Sequence, residues 1–71
     1  MTELGRYLAK RSINRSDLSR RTGIKLTRLT NLALKENANI RGDELYLISL
    51  ALGVTMLELI EVIYKDLRLV E

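Results

Sequence analysis

Apolar residues recur along this chain at intervals of three and four, and they alternate with polar ones only weakly, except across the last six residues; this spacing predicts helices. The first helix is expected to start with Thr2 as its cap and to run to about Arg11 or Ser12. It would bury Leu4, Tyr7 and Leu8 and leave Arg6 and Lys10 outside, with Ile13 packing under the turn that follows. Asn14 can cap a second helix beginning at Arg15, with Asp17 three residues on able to bond back. Leu18 is its buried contact, and Gly23 stands where a C-terminal cap needs a residue tolerant of positive φ. After Ile24, a third helix is expected from Lys25 to about Lys35, with Leu29, Leu32 and Ala33 on one face and Thr27, Thr30 and Asn31 on the other. A polar loop from 36 to 42, anchored by Ile40, leads into a fourth helix starting near Asp43. That helix directs Leu45, Ile48 and Leu52 to the core and ends at Gly53. Thr55 and Glu58 form a capping box opening a fifth helix, which carries Met56, Leu59, Ile60 and Ile63 inward as far as Lys65 or Asp66. The expectation is an all-α domain of five helices joined by short loops, spanning residues 1–66, with a tail at 67–71.

The fourth and fifth helices carry more apolar residues than one core face needs. Leu47 and Leu50 fall on the far side of the fourth, and Leu57, Val62 and Tyr64 stand off the inner stripe of the fifth. The tail continues with Leu67, Leu69 and Val70. Single exposed leucines are ordinary on protein surfaces, but several together point to a second burial surface. The simplest is a two-fold dimer interface made of Leu47, Leu50, Leu57, Tyr64 and Leu67, which would also supplement a small core. The alternation in the tail would allow strand pairing across such an axis, and a frayed terminus is the equal alternative.

Composition narrows the chemistry. A chain of 71 residues makes one domain, and at this size only about 60% of the unfolded surface is buried on folding. With no cysteine and no histidine, disulfides and zinc sites of the usual type are excluded, as is the commonest general base. The remaining carboxylates, such as Asp43 with Glu44 or Glu58 with Glu61, are of a kind that on helices is ordinarily solvated or capping. No catalytic residue, metal or cofactor is expected. There is no apolar run of membrane-spanning length and no apolar signal segment, so no membrane association and a cytoplasmic, nucleoid-associated location are expected. The net charge of +3 conceals a segregation. Residues 1–41 hold ten Lys and Arg against three acids, whereas residues 42–71 hold two against six. A basic half beside an acidic half suggests a surface aimed at a polyanion.

In order and spacing, the pieces Leu4-Gly5, N-R-S-D-L-S-R-R-T-G-I, L-T-N-L and I-S-L-A-L-G-V-T resemble the Cro/C1-type, lambda-repressor-like helix-turn-helix domain. The resemblance covers most of the chain and implies a compact five-helix DNA-binding domain with its helix-turn-helix at helices two and three. It departs from the family pattern at Lys25, where a Ser or Thr cap is frequent, at Ala33, where glutamate is frequent, and at 40–42, where a proline-led start is frequent. The resemblance implies that the helix beginning at Lys25 lies in the major groove, with Lys25, Leu26, Thr27, Arg28 and Asn31 facing it, and that Arg15 meets the phosphate backbone. The chemistry of these side chains agrees. Asn31 can pair with adenine, Arg28 can grip guanine or phosphate, and Thr27 or Leu26 can touch a thymine methyl. Lys25 acts as a mobile point charge on phosphate, and Asn37 and Asn39 in the next loop are further phosphate candidates. Duller roles stand beside these: Arg28 pairing with a nearby acid, Leu26 packing on a flank, Thr27 capping the helix in place of Lys25, and solvation of the two loop asparagines.

The expected function is sequence-specific binding of double-stranded DNA by a small transcriptional regulator, most simply a repressor, that reads an inverted repeat as a homodimer. The alternative is an antitoxin or adaptor whose surplus apolar surface binds an unidentified protein partner.

Overall fold

The computed structural model describes residues 1–71. It contains five helices and no strand: α1 (Glu3–Lys10), α2 (Arg15–Thr22), α3 (Leu26–Leu34), α4 (Gly42–Leu52) and α5 (Met56–Ile63). Their starts follow from local chemistry. Thr2, Asn14 and Thr55 each accept, through the side-chain oxygen, an amide hydrogen from the first turn of α1, α2 and α5. Each such cap stabilises by about 1 kcal/mol. The ends are encoded as well, because α2 and α4 stop at Gly23 and Gly53, both left-handed with φ of 79° and 71°.

Leu4, Leu8, Leu18, Ile24, Leu29, Leu32, Leu45, Ile48 and Leu59 form one buried cluster fed by all five helices and the turn before α3. Tyr7, Leu52, Met56, Ile60 and Ile63, also expected inward, are only half-buried and pack against its edge. Helix α1 packs on α3 and α5, α2 packs on α3 and α4, and α4 packs on α5. No single helix is long and apolar enough to cross a membrane.

Two ties position α1. Thr2 donates its amide to the Ala33 carbonyl at 2.9 Å and its hydroxyl to the Leu32 carbonyl at 2.7 Å, so the residue that opens α1 also satisfies the last turn of α3. Gly5 lies at the same crossing, where a β-carbon would stand 2.1 Å from the Ala33 oxygen. At the other contact, the Tyr7 hydroxyl donates to Glu58 Oε2 at 2.6 Å and the Arg11 guanidinium lies 5.3 Å from the Tyr7 ring centre. Burial and the neighbouring Glu58 carboxylate both raise the Tyr7 pKa.

Glu58 thereby departs from the expected capping box. Thr55 accepts from its amide at 3.0 Å, but the carboxylate reaches to α1 instead of back to Thr55. Helix α5 also ends earlier than expected, at Ile63. Residues 67–71 have no regular structure and are exposed.

Candidate nucleic-acid interface

The turn between α2 and α3 is fixed by three hydrogen bonds from two side chains as well as by Gly23. Thr22 donates to the Leu18 carbonyl at 2.7 Å and accepts from the Ile24 amide at 3.2 Å, while Ser19 donates to the Ile24 carbonyl at 2.5 Å. With Leu18 and Ile24 both buried, the angle between the helices is held from both sides. Helix α3 then buries Leu29, Leu32 and Ala33, which leaves Thr27, Asn31 and Leu34 on the opposite side and Thr30 beside them. Thr27 and Leu34 are exposed, and Thr30 and Asn31 are half-buried. The side chains of Thr27, Thr30 and Asn31 make no hydrogen bond within the chain, so their polar groups are available to a partner. Lys25 occupies the cap position of α3 and supplies no side-chain bond. Thr27 does not cap in its place.

Arg28 has a different environment from the other expected base readers. It sits on the flank of α3 that turns toward α4. Its Nε donates to Glu44 Oε2 at 2.8 Å and its Nη2 to Glu44 Oε1 at 2.9 Å, while Nη2 also donates to the Asn39 carbonyl at 2.7 Å. Glu44 is only 2% exposed and further accepts from the Arg41 amide at 2.9 Å, closing the start of α4. The Arg28 guanidinium holds the Glu44 carboxyl below its usual range, outweighing the opposing effect of burial. Glu44 is thus a buried partner of Arg28 as well as the capping carboxylate that the sequence predicts. Its buried position was legible: Glu44, Leu45, Ile48 and Ser49 form one helical stripe, and all four are buried.

The remaining expected residues are distributed around α3. Arg15 opens α2, half-buried, and Lys25 is exposed; neither is in an ion pair, nor are Lys10, Arg21 and Lys35. Arg20 pairs with Asp17, and Arg41 pairs with Asp43, whose carboxyl it holds below the usual range. Leu26 is 44% exposed and lies outside the core. Asn37 and Asn39 are exposed in the loop between α3 and α4. Leu34, missed in the sequence reading, shares the outer face because it stands seven residues after Thr27, a spacing that was available to find it.

This arrangement of two short helices locked by a glycine turn, with a free polar face on the second, agrees with the match of residues 3–65 to the family model of the Cro/C1-type HTH DNA-binding domain. The chain belongs to that family. A Cro/C1-type domain binds DNA, and regulation of transcription is the setting in which it does so. No curated protein and no solved structure matches the chain.

On this Cro/C1-type domain the surplus apolar residues lie outside the core. Leu50, Leu57 and Leu67 are 58%, 64% and 72% exposed, with Leu47 and Tyr64 less so. Leu57 lies in the first turn of α5, and Tyr64 is the residue that ends it. Leu47 borders the cleft with Lys25, Arg28 and Glu44 at the start of α3, whereas Tyr64 borders the cleft with Thr2 and Leu32 at its end. Val62 differs from the expectation, being half-buried beside Tyr7 because α1 packs on α5.

Proposed function

We propose that this domain is a sequence-specific regulator of transcription that binds double-stranded DNA through α3 and represses by occupying promoter DNA. The observation that carries this reading is the outer face of α3, where Thr27, Thr30 and Asn31 hold unused polar groups on a helix flanked in the chain by unpaired Lys25 and Lys35, while Arg15 at the start of α2 is also unpaired. Thr27, Asn31 and Leu26 contact bases; Arg15, Lys25, Asn37 and Asn39 contact phosphates. Arg28 holds α3 to α4 in place of reading a base.

The domain acts as a homodimer whose interface is Leu50, Leu57, Tyr64 and Leu67, with Leu47 left to the DNA side because it borders the start of α3. Two recognition helices related by a two-fold axis read half-sites about 34 to 36 Å apart or a multiple of that, so the operator is an inverted repeat. The same exposed leucines support a second reading, an antitoxin or adaptor in which a different protein covers this surface.

Binding to duplex DNA measured across a range of salt concentrations tests the reading. Affinity is expected to fall steeply with salt, and Arg15→Ala to flatten the log-log slope by about 1 while leaving sequence preference unchanged. No binding to a random duplex pool at low salt, or binding indifferent to salt, refutes it.

A further inference from the structure

We propose that Glu44 determines the specificity of this domain by withdrawing Arg28 from the duplex, so that α3 reads a half-site of A·T pairs. The proposal rests on the DNA-reading assignment above and adds to it the class of bases that is read.

A guanine is gripped by two parallel N–H groups reaching O6 and N7, and a guanidinium has two outward edges that can supply them. In Arg28 neither edge is free. Glu44 takes the edge formed by Nε and Nη2, and the second hydrogen of Nη2, which the other edge needs, is on the Asn39 carbonyl. Releasing the guanidinium would leave a carboxylate that is 2% exposed with only the Arg41 amide at 2.9 Å and the Arg41 guanidinium at 3.8 Å, and losing the closest partner of a buried charge is unfavourable. The pair also bridges α3 to α4, whose backbones do not approach each other closely although both helices contribute leucines to the common core. Arg28 is therefore held to the protein by its chemistry and not by chance proximity.

Removing Arg28 from the readers leaves Leu26 and an outer face of Thr27, Thr30, Asn31 and Leu34, none of them charged. The Asn31 amide matches the N6 and N7 groups of adenine, the threonine hydroxyls suit either base, and the threonine methyls with Leu34 suit the thymine methyl. Lys25 precedes the helix as its cap residue, at the edge of this face, where backbone phosphate is met. The face is complementary to adenine and thymine and lacks a bidentate partner for guanine.

The test is selection of binding sites from random duplex DNA by the full chain and by the Arg28→Met/Glu44→Met double variant, which replaces the ion pair with apolar side chains of similar length. The positions read by α3 are those relaxed by Asn31→Ala, together with their immediate neighbours. Both proteins are expected to select A·T pairs there. A G·C pair at those positions overturns the proposal and leaves the DNA reading standing, whereas failure of the wild type to select any site removes both. Glu44→Gln, with folding checked by circular dichroism, provides a second measurement. Freeing Arg28 is expected to steepen the salt slope by about 1 and to improve binding to a G·C-substituted half-site by about tenfold; an unchanged slope and site preference in the folded variant overturn the assignment to Glu44. The wild-type consensus decides the base class even if neither variant folds.

Discussion

A methyl group added at Gly5 would meet the Ala33 carbonyl oxygen at 2.1 Å and the Met1 side chain at 2.7 Å. The carbonyl belongs to the backbone of α3 and cannot swing away, so α1 would have to retreat. Gly5→Ala is expected to cost about 1 to 3 kcal/mol, the range for overpacking a close contact, and a lower midpoint in thermal unfolding checks it. A midpoint equal to the wild type would mean that the helices separate without cost. Asn31→Ala addresses the opposite side of the same helix. Its side chain bonds to nothing in the protein, so stability should hardly change while preference is lost at one base position of each half-site, a discrimination of about 1 to 3 kcal/mol. An unaltered selected motif would show that Asn31 is not a reader. At this scale the sequence was partly legible. Leu18, Leu29, Ile48 and Gly23 followed from spacing and turn chemistry alone, because each depends on its own helix. Gly5 did not, because its requirement comes from α3, and neither did the partner of Arg28, because Glu44 lies 16 residues away across a loop.

The elements differ in what orients them. Helix α2 has a single buried residue, Leu18, and its angle to α3 depends on the Gly23 turn with its Ser19 and Thr22 bonds. Helix α3 is fixed at its C-terminal end through Thr2 and near its start through the Arg28–Glu44 pair. That pair makes the orientation of α3 sensitive to acid. Because the Glu44 carboxyl lies below its ordinary value in the folded chain, its contribution is fully present above the unfolded value, about 4.3, and is lost as pH falls through the depressed value. Stability of the wild type should therefore decline below about pH 4.3. In Arg28→Met/Glu44→Met the decline should be shallower, as read from urea unfolding at several pH values. Identical pH profiles would show that the pair does not contribute. The helix boundaries set by the caps at Thr2, Asn14, Thr55, Gly23 and Gly53 were legible to within a residue, since these are local interactions, whereas the end of α5, which has no such cap, was placed two or three residues too late. The expected bond from Glu58 back to Thr55 failed because Tyr7, 51 residues away in the chain, offers the carboxylate a stronger partner.

The molecule as a whole separates its chemistry. The excess of cations lies in residues 1–41, which include α2 and α3, and the excess of acids lies in residues 42–71, which include α4 and α5. The exposed leucines fall mostly in that second half, so a dimer formed there would leave α3 free on each copy. Replacing Leu57 and Tyr64 by glutamate is expected to yield monomers in sedimentation equilibrium and to weaken binding to an inverted repeat more than to a single half-site. A wild type that is already monomeric, or a dimer that survives both changes, contradicts this interface. The charge segregation and the surplus of leucines were both visible in composition and spacing. The placement of Leu47 beside α3 was not, because it depends on how α4 docks against the helix-turn-helix.

The central claim, that the outer face of α3 is a DNA-reading surface, is tested most directly by following backbone amide chemical shifts while duplex DNA carrying a selected site is titrated into the domain. The account predicts that the largest changes fall at Arg15, at Lys25 through Asn31 and in the loop at Asn37 and Asn39, with small changes on the far side of α4 and along α5. Changes concentrated on α5 and the tail, with α3 unmoved, would contradict it.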